Sequence, residues 1–370
     1  MTSTTTTDGT TAAGTYDVAV VGGGPAGLSA AVTLARSLRS VVVIDAGEPR
    51  NAPAEGAHNL LGREGAAPHE LLAAGRREAT GYGTEIRPGR AVAARRVEDG
   101  FEIDVVPAPA DEPRGTGTDP TTVRARRLLL ASGLVDELPD VPGVRELWGR
   151  DVLHCPYCHG YEVRGRRIGV LATGANAIHQ VQLLRQLSDD VTLFLHTAPE
   201  PDDGAWERLA ALGVRVVEGR VARLAITEST ESTETGDGDS AANDNAYGNG
   251  NGNGNGRLAG VVLEDGTTID VDAVAVAPYL VARGELYEQL GGTLDDHAVG
   301  GRYVPSDARG ATPLPGVWAA GNSSDLAAMV GASAAAGVMA GAQINAELVE
   351  EDVAQAVARR RSPYAARRTA

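Results

Sequence analysis

A strand, a glycine-rich turn, a helix and a second strand ending in an acidic residue follow one another near the start of this chain. Residues 16–21 form an apolar, strand-like run, the turn Gly22–Gly27 reads Gly-Gly-Gly-Pro-Ala-Gly, and residues 41–44 lead to Asp45. This order, with Gly-x-Gly-x-x-Gly between strand and helix, is typical of a dinucleotide-binding βαβ unit. Asp45 lies where such a unit accepts hydrogen bonds from ribose hydroxyls.

Each position in the turn has a physical role in that interpretation. Gly22 permits the tight turn, Gly24 lets backbone approach a pyrophosphate, and Gly27 allows the helix and strand to pack closely. Pro25 and Ala26 begin the helix, whose N-terminus stabilises phosphate charge. The other candidate cofactor-binding residues follow predicted strands or lie in nearby loops, and they are Ala46, Asn59, Val92, Ala131, Ser132, Gly133, Gly321 and Asn322.

The length and charge of the chain limit its class. A chain of 370 residues exceeds a single hydrophobic core and indicates about two domains. Its 49 acidic and 33 basic residues give a formal charge of -16, which disfavours nucleic acid and anionic membranes as partners. The Thr-rich residues 1–15, predicted to be a disordered tail, lack a secretory pattern, and the apolar residues 326–342 are too weakly hydrophobic to span a membrane. We therefore expect a soluble, cytoplasmic protein, with a long helix at residues 327–350.

The two cysteines of the chain, Cys155 and Cys158, lie in the motif His-Cys-Pro-Tyr-Cys-His-Gly. Three interpretations are open: a redox-active pair, a zinc site that includes His154 and His159, or an incidental buried pair. The zinc site would need near-adjacent residues to face one ion, and a second ligand pair with the usual spacing is missing, so no metal is expected. A redox pair needs a thiolate, which a helix starting after Pro156 and a neighbouring histidine would stabilise. His159 is the acid–base candidate because imidazole titrates near neutrality.

A second strand–helix–strand unit follows the cysteines. Its strands are predicted at residues 167–171 and 191–195, and the alternation of strands and helices again indicates a parallel sheet. Ala172 stands where the first glycine of a phosphate-binding turn is expected, and residues 196–198 read His-Thr-Ala at the end of the second strand. The unit therefore has the shape of a nucleotide domain without its nucleotide-reading residues. Residues 227–256 are of low complexity and are predicted to form a disordered insertion.

Together these features resemble the low-molecular-weight thioredoxin reductase family of pyridine nucleotide-disulfide oxidoreductases. The resemblance rests on the first glycine motif, the Cys-x-x-Cys of an inserted unit and the late run Val-Trp-Ala-Ala-Gly-Asn, and it extends from Tyr16 to Val349. It implies an α/β fold of two Rossmann-like (three-layer ββα) nucleotide-binding domains, the second inserted into the first, and a homodimer. The expected regions are an FAD-binding domain at 16–140 and 279–358, an inserted NADPH-domain-like unit at 141–278 and a tail at 359–370.

The chain departs from that family at several positions. His159 follows the second cysteine where the reductases have Asp, and Ala172 interrupts the second glycine motif. Thr197 and Ala198 replace two arginines of the His-Arg-Arg run that reads the NADPH phosphate. Asn322 replaces an Asp that contacts FAD in the family. With these departures, Cys-Pro-Tyr-Cys-His-Gly is similar to the flavin-dependent dithiol oxidases that close disulfides in natural products such as holomycin and gliotoxin.

The resemblance to these oxidases implies a specific reaction. A small-molecule dithiol would be oxidised to its intramolecular disulfide, with FAD as cofactor and O2 as the acceptor that yields H2O2, as a step of antibiotic biosynthesis. Cys155 would face the substrate and Cys158 the flavin. Two alternatives stay open: an NADPH-dependent thioredoxin-disulfide reductase, and a flavin-containing redox sensor without turnover.

Overall fold

The computed structural model describes residues 15–107, 120–174, 176–227, 256–298 and 300–361. Most of the predicted N-terminal tail and insertion, and the last nine residues, lie outside these described residues. The strands are β1 (Tyr16–Val21), β2 (Val41–Asp45), β3 (Glu85–Pro88), β4 (Arg90–Val97), β5 (Gly100–Val106), β6 (Thr121–Leu130), β7 (Leu134–Glu137), β8 (Val152–Leu153), β9 (Ile168–Leu171), β10 (Val191–Phe194), β11 (Arg215–Val217), β12 (Val221–Thr227), β13 (Arg257–Leu263), β14 (Thr268–Ile269), β15 (Ala273–Val276), β16 (Tyr279–Ala282), β17 (Asp295–Asp296), β18 (Arg302–Tyr303) and β19 (Val317–Ala319). The helices are α1 (Pro25–Arg36), α2 (Pro68–Gly81), α3 (Pro156–His159), α4 (Asn176–Arg185), α5 (Asp203–Ala211), α6 (Glu285–Gln289) and α7 (Val330–Arg361), with a 3₁₀ turn at Gly321–Ser323.

The chain forms two compact units. The described residues of Met1–Ala52, Leu60–Val135 and Leu280–Ala370 make the first unit, and those of Pro53–Asn59 and Asp136–Tyr279 make the second. The chain leaves the first unit within β7 and returns to it within β16. The second unit is thus an insertion in the sequence of the first, apart from the short segment before residue 60.

The first unit is built on a sheet with strand order β3-β2-β1-β6-β5-β4, and β19 also pairs with β6. Strands β3, β2, β1, β6 and β19 are parallel, whereas β5 and β4 are antiparallel to their neighbours. Val18 and Val20 of β1 pack on the helical side with Leu34, while Ala19 packs on the opposite side with Phe101. Burial of both faces explains the uninterrupted apolar run of this strand.

Helix α1 packs against the sheet and against α7, and the backbones of α1 and α7 lie in close contact. A Cβ on Gly337 of α7 would lie 2.0 Å from the carbonyl oxygen of Ala26, and one on Gly341 would lie 3.0 Å from that of Ala30. Glycine at these two positions therefore removes the atoms that would keep the helices apart. This contact fixes α7 over the start of α1, where the glycine-rich turn lies.

The second unit contains a parallel sheet and a smaller antiparallel one. The parallel sheet has the order β11-β10-β9-β15-β8, and β12, β13 and β14 form the antiparallel sheet. Helix α4 packs on the parallel sheet through Val181 and Leu184. The predicted α/β class with a repeated Rossmann-like unit is therefore confirmed. None of the helices in the described residues has the length and hydropathy needed to span a membrane.

The long helix differs from its prediction at both ends. Helix α7 begins at Val330 and continues to Arg361, whereas the sequence predicts 327–350 and a tail from 359. The residues just before Val330 instead form a turn that the side chain of Asn322 holds. Near the middle of the helix, Glu347 and Glu351 form ion pairs with Arg127. Because Arg127 is distant in sequence, the local sequence pattern does not predict these contacts.

Candidate active site

In the glycine-rich turn, two glycines lie in close contact with backbone atoms and a third has free space beside it. Gly22 has a φ of +109°, and a Cβ there would lie 2.2 Å from the carbonyl oxygen of Ala131. A Cβ on Gly27 would lie 1.9 Å from the carbonyl oxygen of Gly22. A Cβ on Gly24, by contrast, would meet nothing within 4 Å. Gly22 and Gly27 are thus required by the turn itself, while the room beside Gly24, at the N-terminus of α1, fits a phosphate group.

Asp45 ends β2 directly beside this turn. Its Oδ1 accepts a hydrogen bond from the backbone N–H of Gly47 at 3.1 Å, and its Oδ2 accepts one from Nη2 of Arg76 at 2.5 Å. A Cβ on Gly23 would lie 2.3 Å from Oδ2 of Asp45, so the carboxylate rests against the turn. A carboxylate has about four acceptor sites, and those not used here can accept ribose hydroxyls. Ala46 follows, and the residues present fit a dinucleotide.

The ends of β6 and β19 meet at the same edge of the sheet. The hydroxyl of Ser132 donates to the carbonyl of Arg283 at 2.8 Å, and the backbone N–H of Gly133 donates to the hydroxyl of Ser323 at 2.9 Å. Gly321 begins the 3₁₀ turn with a φ of +68°. Because β1, β2, β6 and β19 are parallel, the candidate residues that follow them are gathered at one edge, where ligands of such sheets bind.

Asn322 has a structural role that an aspartate could not fill. Its Nδ2 donates to the carbonyls of Asp325 and Ala328, both at 2.9 Å, and its Oδ1 accepts from Nη1 of Arg50 at 3.2 Å. An ionised carboxylate has no hydrogen to donate and would leave those two carbonyls without this donor. The amide therefore stabilises the turn that leads into α7.

The last two candidate cofactor residues, Val92 and Asn59, do not follow the parallel strands of the first unit. Val92 is in β4, where its side chain is 42% exposed and its carbonyl accepts from Nε2 of Gln289 at 3.2 Å. Asn59 belongs to the second unit and adopts a φ of +59°. Its Nδ2 donates to the carbonyl of Tyr157 at 2.7 Å, within the cysteine motif. The structure thus associates Asn59 with the cysteines of its own unit.

The cysteine motif forms a single helical turn. Cys155 is the N-cap of α3, and its Sγ accepts a hydrogen bond from the backbone N–H of Cys158 at 3.2 Å. The carbonyl of Cys155 accepts from the N–H of His159 at 3.1 Å, as a helix start predicted after Pro156 requires. A backbone N–H directed at Sγ stabilises negative charge on that sulfur. In the described part of the chain, no group of three or more His, Cys, Asp or Glu side chains is arranged to hold a metal ion.

Polar side chains hold the backbone on both sides of the cysteines. Nε2 of Gln180, in α4, donates to the carbonyls of His154 at 2.7 Å and Val276 at 3.2 Å. Nδ1 of His154 lies 3.3 Å from the same Val276 carbonyl, which makes this ring part of the packing. Gln180 is not among the site residues predicted from the sequence. It could have been found from its position, since it is a polar residue among the apolar residues of a helix that packs on a buried sheet. Such a side chain needs a buried hydrogen-bond partner.

His159 is partly buried beside Cys158. Burial lowers the pKa of His159, the carboxylates of Glu162 and Glu55 oppose that shift, and His58 adds to it. Nε2 of His58 lies 3.5 Å from Oε1 of Glu162. Nε2 of His159 is buried and has no hydrogen-bond partner within the described residues. Because burial lowers its pKa, the ring is uncharged at neutral pH.

The residues at the second glycine motif, and at the strand end that follows it, are buried or hydrogen-bonded within their own unit. Ala172, in place of the first glycine, is 1% exposed. His196 has a φ of +44°, and its Nδ1 accepts a hydrogen bond from the backbone N–H of Val221 at 3.0 Å. Burial lowers the pKa of His196, and the neighbouring Arg220 lowers it further. A neutral ring whose nitrogen is an acceptor for backbone is unsuited to bind a phosphate.

Comparisons with known proteins agree with this architecture. The sequence matches the pyridine nucleotide-disulphide oxidoreductase family over residues 16–341. Thioredoxin reductase tcpT of Claviceps purpurea (strain 20.1) is 39% identical over 187 residues, which cover 48% of this chain and 54% of that protein. Thioredoxin reductase sirT of Leptosphaeria maculans is 28% identical over 357 residues, which cover 92% of this chain and 96% of that protein. The crystal structure of HlmI superposes with a TM-score of 0.77 at 40% identity, covering 96% of this chain and 99% of that chain.

The matches differ in how much of each relative the chain covers. The aligned part spans about half the length of tcpT but nearly all of sirT and HlmI. The family and its thioredoxin reductase members imply a bound flavin and a reaction between thiols and disulfides. The predicted resemblance to thioredoxin reductases is confirmed. The chain belongs to the pyridine nucleotide-disulphide oxidoreductase family and is a thioredoxin reductase-like oxidoreductase.

Proposed function

We propose that this enzyme is an FAD-dependent dithiol oxidase that converts a small-molecule dithiol into its intramolecular disulfide. The observation that carries the proposal is the neutral His159 next to Cys158, with a buried Nε2 that has no partner among the described residues. Closing a disulfide in a substrate requires removal of two thiol protons, and a neutral imidazole beside the cysteine pair is suited to accept them. An aspartate at this position would be ionised and a much weaker base.

The cysteines carry out two thiol–disulfide exchanges in this proposal. A substrate thiolate attacks Sγ of Cys155 in the oxidised pair, a mixed disulfide forms, and Cys158 leaves as a thiolate. The second substrate thiolate then attacks the substrate sulfur of the mixed disulfide and displaces Cys155. The substrate has lost two electrons and two protons, and the cysteine pair has gained the electrons. The N–H of Cys158, directed at Sγ of Cys155, stabilises the departing thiolate.

We assign the residues gathered in the first unit to FAD. The turn from Gly22 to Gly27 would hold the pyrophosphate, Asp45 the ribose hydroxyls, and the backbone near Ala131–Gly133 and Gly321–Asn322 the remainder of the cofactor. When bound, FAD would supply a two-electron acceptor for the cysteine pair, with O2 as the final acceptor that yields H2O2. The oxidised cysteine pair is then restored for the next substrate.

The direction of electron flow is inferred from the second unit. Ala172 is buried where a phosphate-binding turn has glycine, and His196 is engaged by the backbone of Val221. A buried alanine in the turn and a neutral His196 engaged by backbone disfavour NADPH as the electron donor. The alternative is an NADPH-dependent thioredoxin reductase, and the name shared by tcpT and sirT favours it. The family relationship is compatible with the oxidase and with the reductase, so an experiment has to distinguish the two functions.

A Gly24→Val substitution tests the assigned flavin site. The Cβ of residue 24 would meet no protein atom within 4 Å, so we expect the variant to fold normally. Its side chain would occupy the room assigned to the pyrophosphate, and the purified protein should therefore contain less than about a tenth of the usual flavin. Gly81→Ala, at another glycine with no atom within 4 Å of its Cβ, is the control and should retain its flavin. Normal flavin content in the valine variant would show that the cofactor binds elsewhere.

Cys155→Ser and Cys158→Ser test the exchange mechanism. Each removes one sulfur of the pair, so the mixed disulfide or its resolution is lost and dithiol-dependent O2 uptake should fall at least ~100-fold. Tyr161→Phe is a matched control because its side chain is 65% exposed next to the motif. Both serine variants should bind flavin as the native enzyme does. Uptake at the native rate in either of them would rule out the mechanism.

The pH dependence of oxidation tests His159 as the base. Its lowered pKa places the acidic limb of kcat/KM below about 6.5, since the imidazole must be neutral to accept a proton. Glu162→Gln removes a carboxylate that raises the pKa of His159, so the limb should move to lower pH. His159→Gln should abolish the limb and slow turnover roughly 100-fold or more. An unchanged limb in the His159 variant would assign the titration to another group.

A further inference from the structure

A short segment, residues 53–59, belongs to the second unit although the chain on either side of it belongs to the first. At the start of the segment, Pro53 packs on Gly149, where an added Cβ would lie 2.6 Å from the Cβ of the proline. At its end, Nδ2 of Asn59 donates to the carbonyl of Tyr157 at 2.7 Å. The segment is therefore held at both ends within the unit that contains the cysteines.

The segment brings His58 to Glu162, which follows the cysteine motif. Nε2 of His58 lies 3.5 Å from Oε1 of Glu162. The two side chains are 24% and 44% exposed, so both reach solvent. An imidazole and a carboxylate this close can exchange a proton after a small approach or through one water. Glu162 in turn lies three residues after His159.

The charged groups that act on His159 include both members of this pair. The carboxylates of Glu162 and Glu55 raise the pKa of His159, while burial and His58 lower it, and the lowering prevails. Glu55 and His58 come from the segment 53–59, and Glu162 comes from the other side of the cysteine motif in sequence. The ring of His159 is thus placed between carboxylates that stabilise its protonated form and a burial that favours its neutral form.

The next cation along the chain is engaged elsewhere. The guanidinium of Arg164 lies 3.8 Å from the centre of the Tyr161 ring, and its Nη1 donates to the carbonyl of Tyr161 at 2.6 Å. The ion-pair partner of Glu162 is the imidazole of His58, which can take up and release a proton near neutral pH, whereas a guanidinium cannot.

The buried nitrogen of His159 creates a need for such a pair. Its Nε2 is shielded from solvent and has no hydrogen-bond partner within the described residues. In the proposed reaction the ring accepts a proton from a substrate thiol, and it has to lose that proton before it can act again. Because bulk water does not reach this nitrogen, a neighbouring group must take the proton. The lowered pKa of the ring favours its release.

We propose that Glu162 and His58 form a proton relay between His159 and solvent. A proton that His159 has accepted from a substrate thiol passes to the carboxylate of Glu162, then to the imidazole of His58, and then to water. Each transfer moves one proton and no electron, and it leaves His159 neutral and Glu162 ionised as before. The relay rests on the proposed dithiol oxidation. His58 and Glu162 act through His159, so they are relay residues and not catalytic residues.

His58→Gln tests the relay by chemical rescue. Glutamine keeps a polar side chain but cannot take up a proton, so kcat for dithiol-dependent O2 uptake should fall about tenfold while KM stays unchanged. Added imidazole can carry the proton from Glu162 to water and should restore at least about half of the native kcat. The native enzyme should gain less than about twofold from the same addition, at constant pH and ionic strength.

Glu162→Gln and Glu55→Gln form a matched pair of variants. Each removes a carboxylate that raises the pKa of His159, so the acidic limb of kcat/KM should move to lower pH in both. The ion pair with His58 is made by Glu162, so only Glu162→Gln should also lower kcat, by about tenfold. His58→Gln removes a group that lowers the pKa of His159, and its acidic limb should therefore move to higher pH.

Flavin content and circular dichroism verify that each variant is folded and loaded. A native kcat in His58→Gln, or a loss that imidazole does not restore in the folded protein, would overturn the relay. Equal kcat values in Glu162→Gln and Glu55→Gln would also overturn it. Absence of dithiol-dependent O2 uptake in the native enzyme would refute the oxidase function and the relay together, and this result is distinct from a failure confined to the variants.

Discussion

The first unit depends on close packing between the backbone of α1, the glycine-rich turn and α7. A side chain at Gly27 would overlap the carbonyl of Gly22, and one at Gly337 would overlap the carbonyl of Ala26. These contacts hold the start of α1 at the end of β1, which leaves the open position at Gly24 as the place where a ligand can approach. Helix α7 packs on the same turn of α1 through Gly337.

The second unit has a parallel sheet of the Rossmann-like type, but the positions where a nucleotide would be read have other contacts. Helix α4 supports the cysteine turn through Gln180, whose Nε2 donates to the carbonyls of His154 and Val276. Asn59 also holds the turn, because its Nδ2 donates to the carbonyl of Tyr157. The nucleotide-reading positions have instead become part of the packing, as His196 shows by accepting a backbone hydrogen bond. The functional residues that we propose for this unit are the cysteine pair and the neutral His159.

The parts of this molecule that could be predicted from sequence are those set by local geometry. The positive φ of Gly22 and the contact of Gly27 with the Gly22 carbonyl both lie within the turn, so its spacing alone indicated strand, turn and helix. The helical turn after Cys155 was predictable in the same way, because Pro156 favours a helix start. The assignment of Asn59 to the cysteine unit was not predictable, since it rests on a contact with Tyr157 across 98 positions of sequence. Gln180 and the length of α7 were missed for the same reason, because tertiary contacts decide them.

We propose that electrons enter this enzyme from a dithiol and not from NADPH. The flavin absorbance of the purified protein tests this directly when it is followed anaerobically after mixing with a dithiol such as dithiothreitol or, separately, with NADPH. We expect rapid bleaching of the flavin by the dithiol, loss of that bleaching in Cys155→Ser, and no bleaching by NADPH. Rapid reduction by NADPH would contradict this direction of electron flow and identify the protein as a reductase.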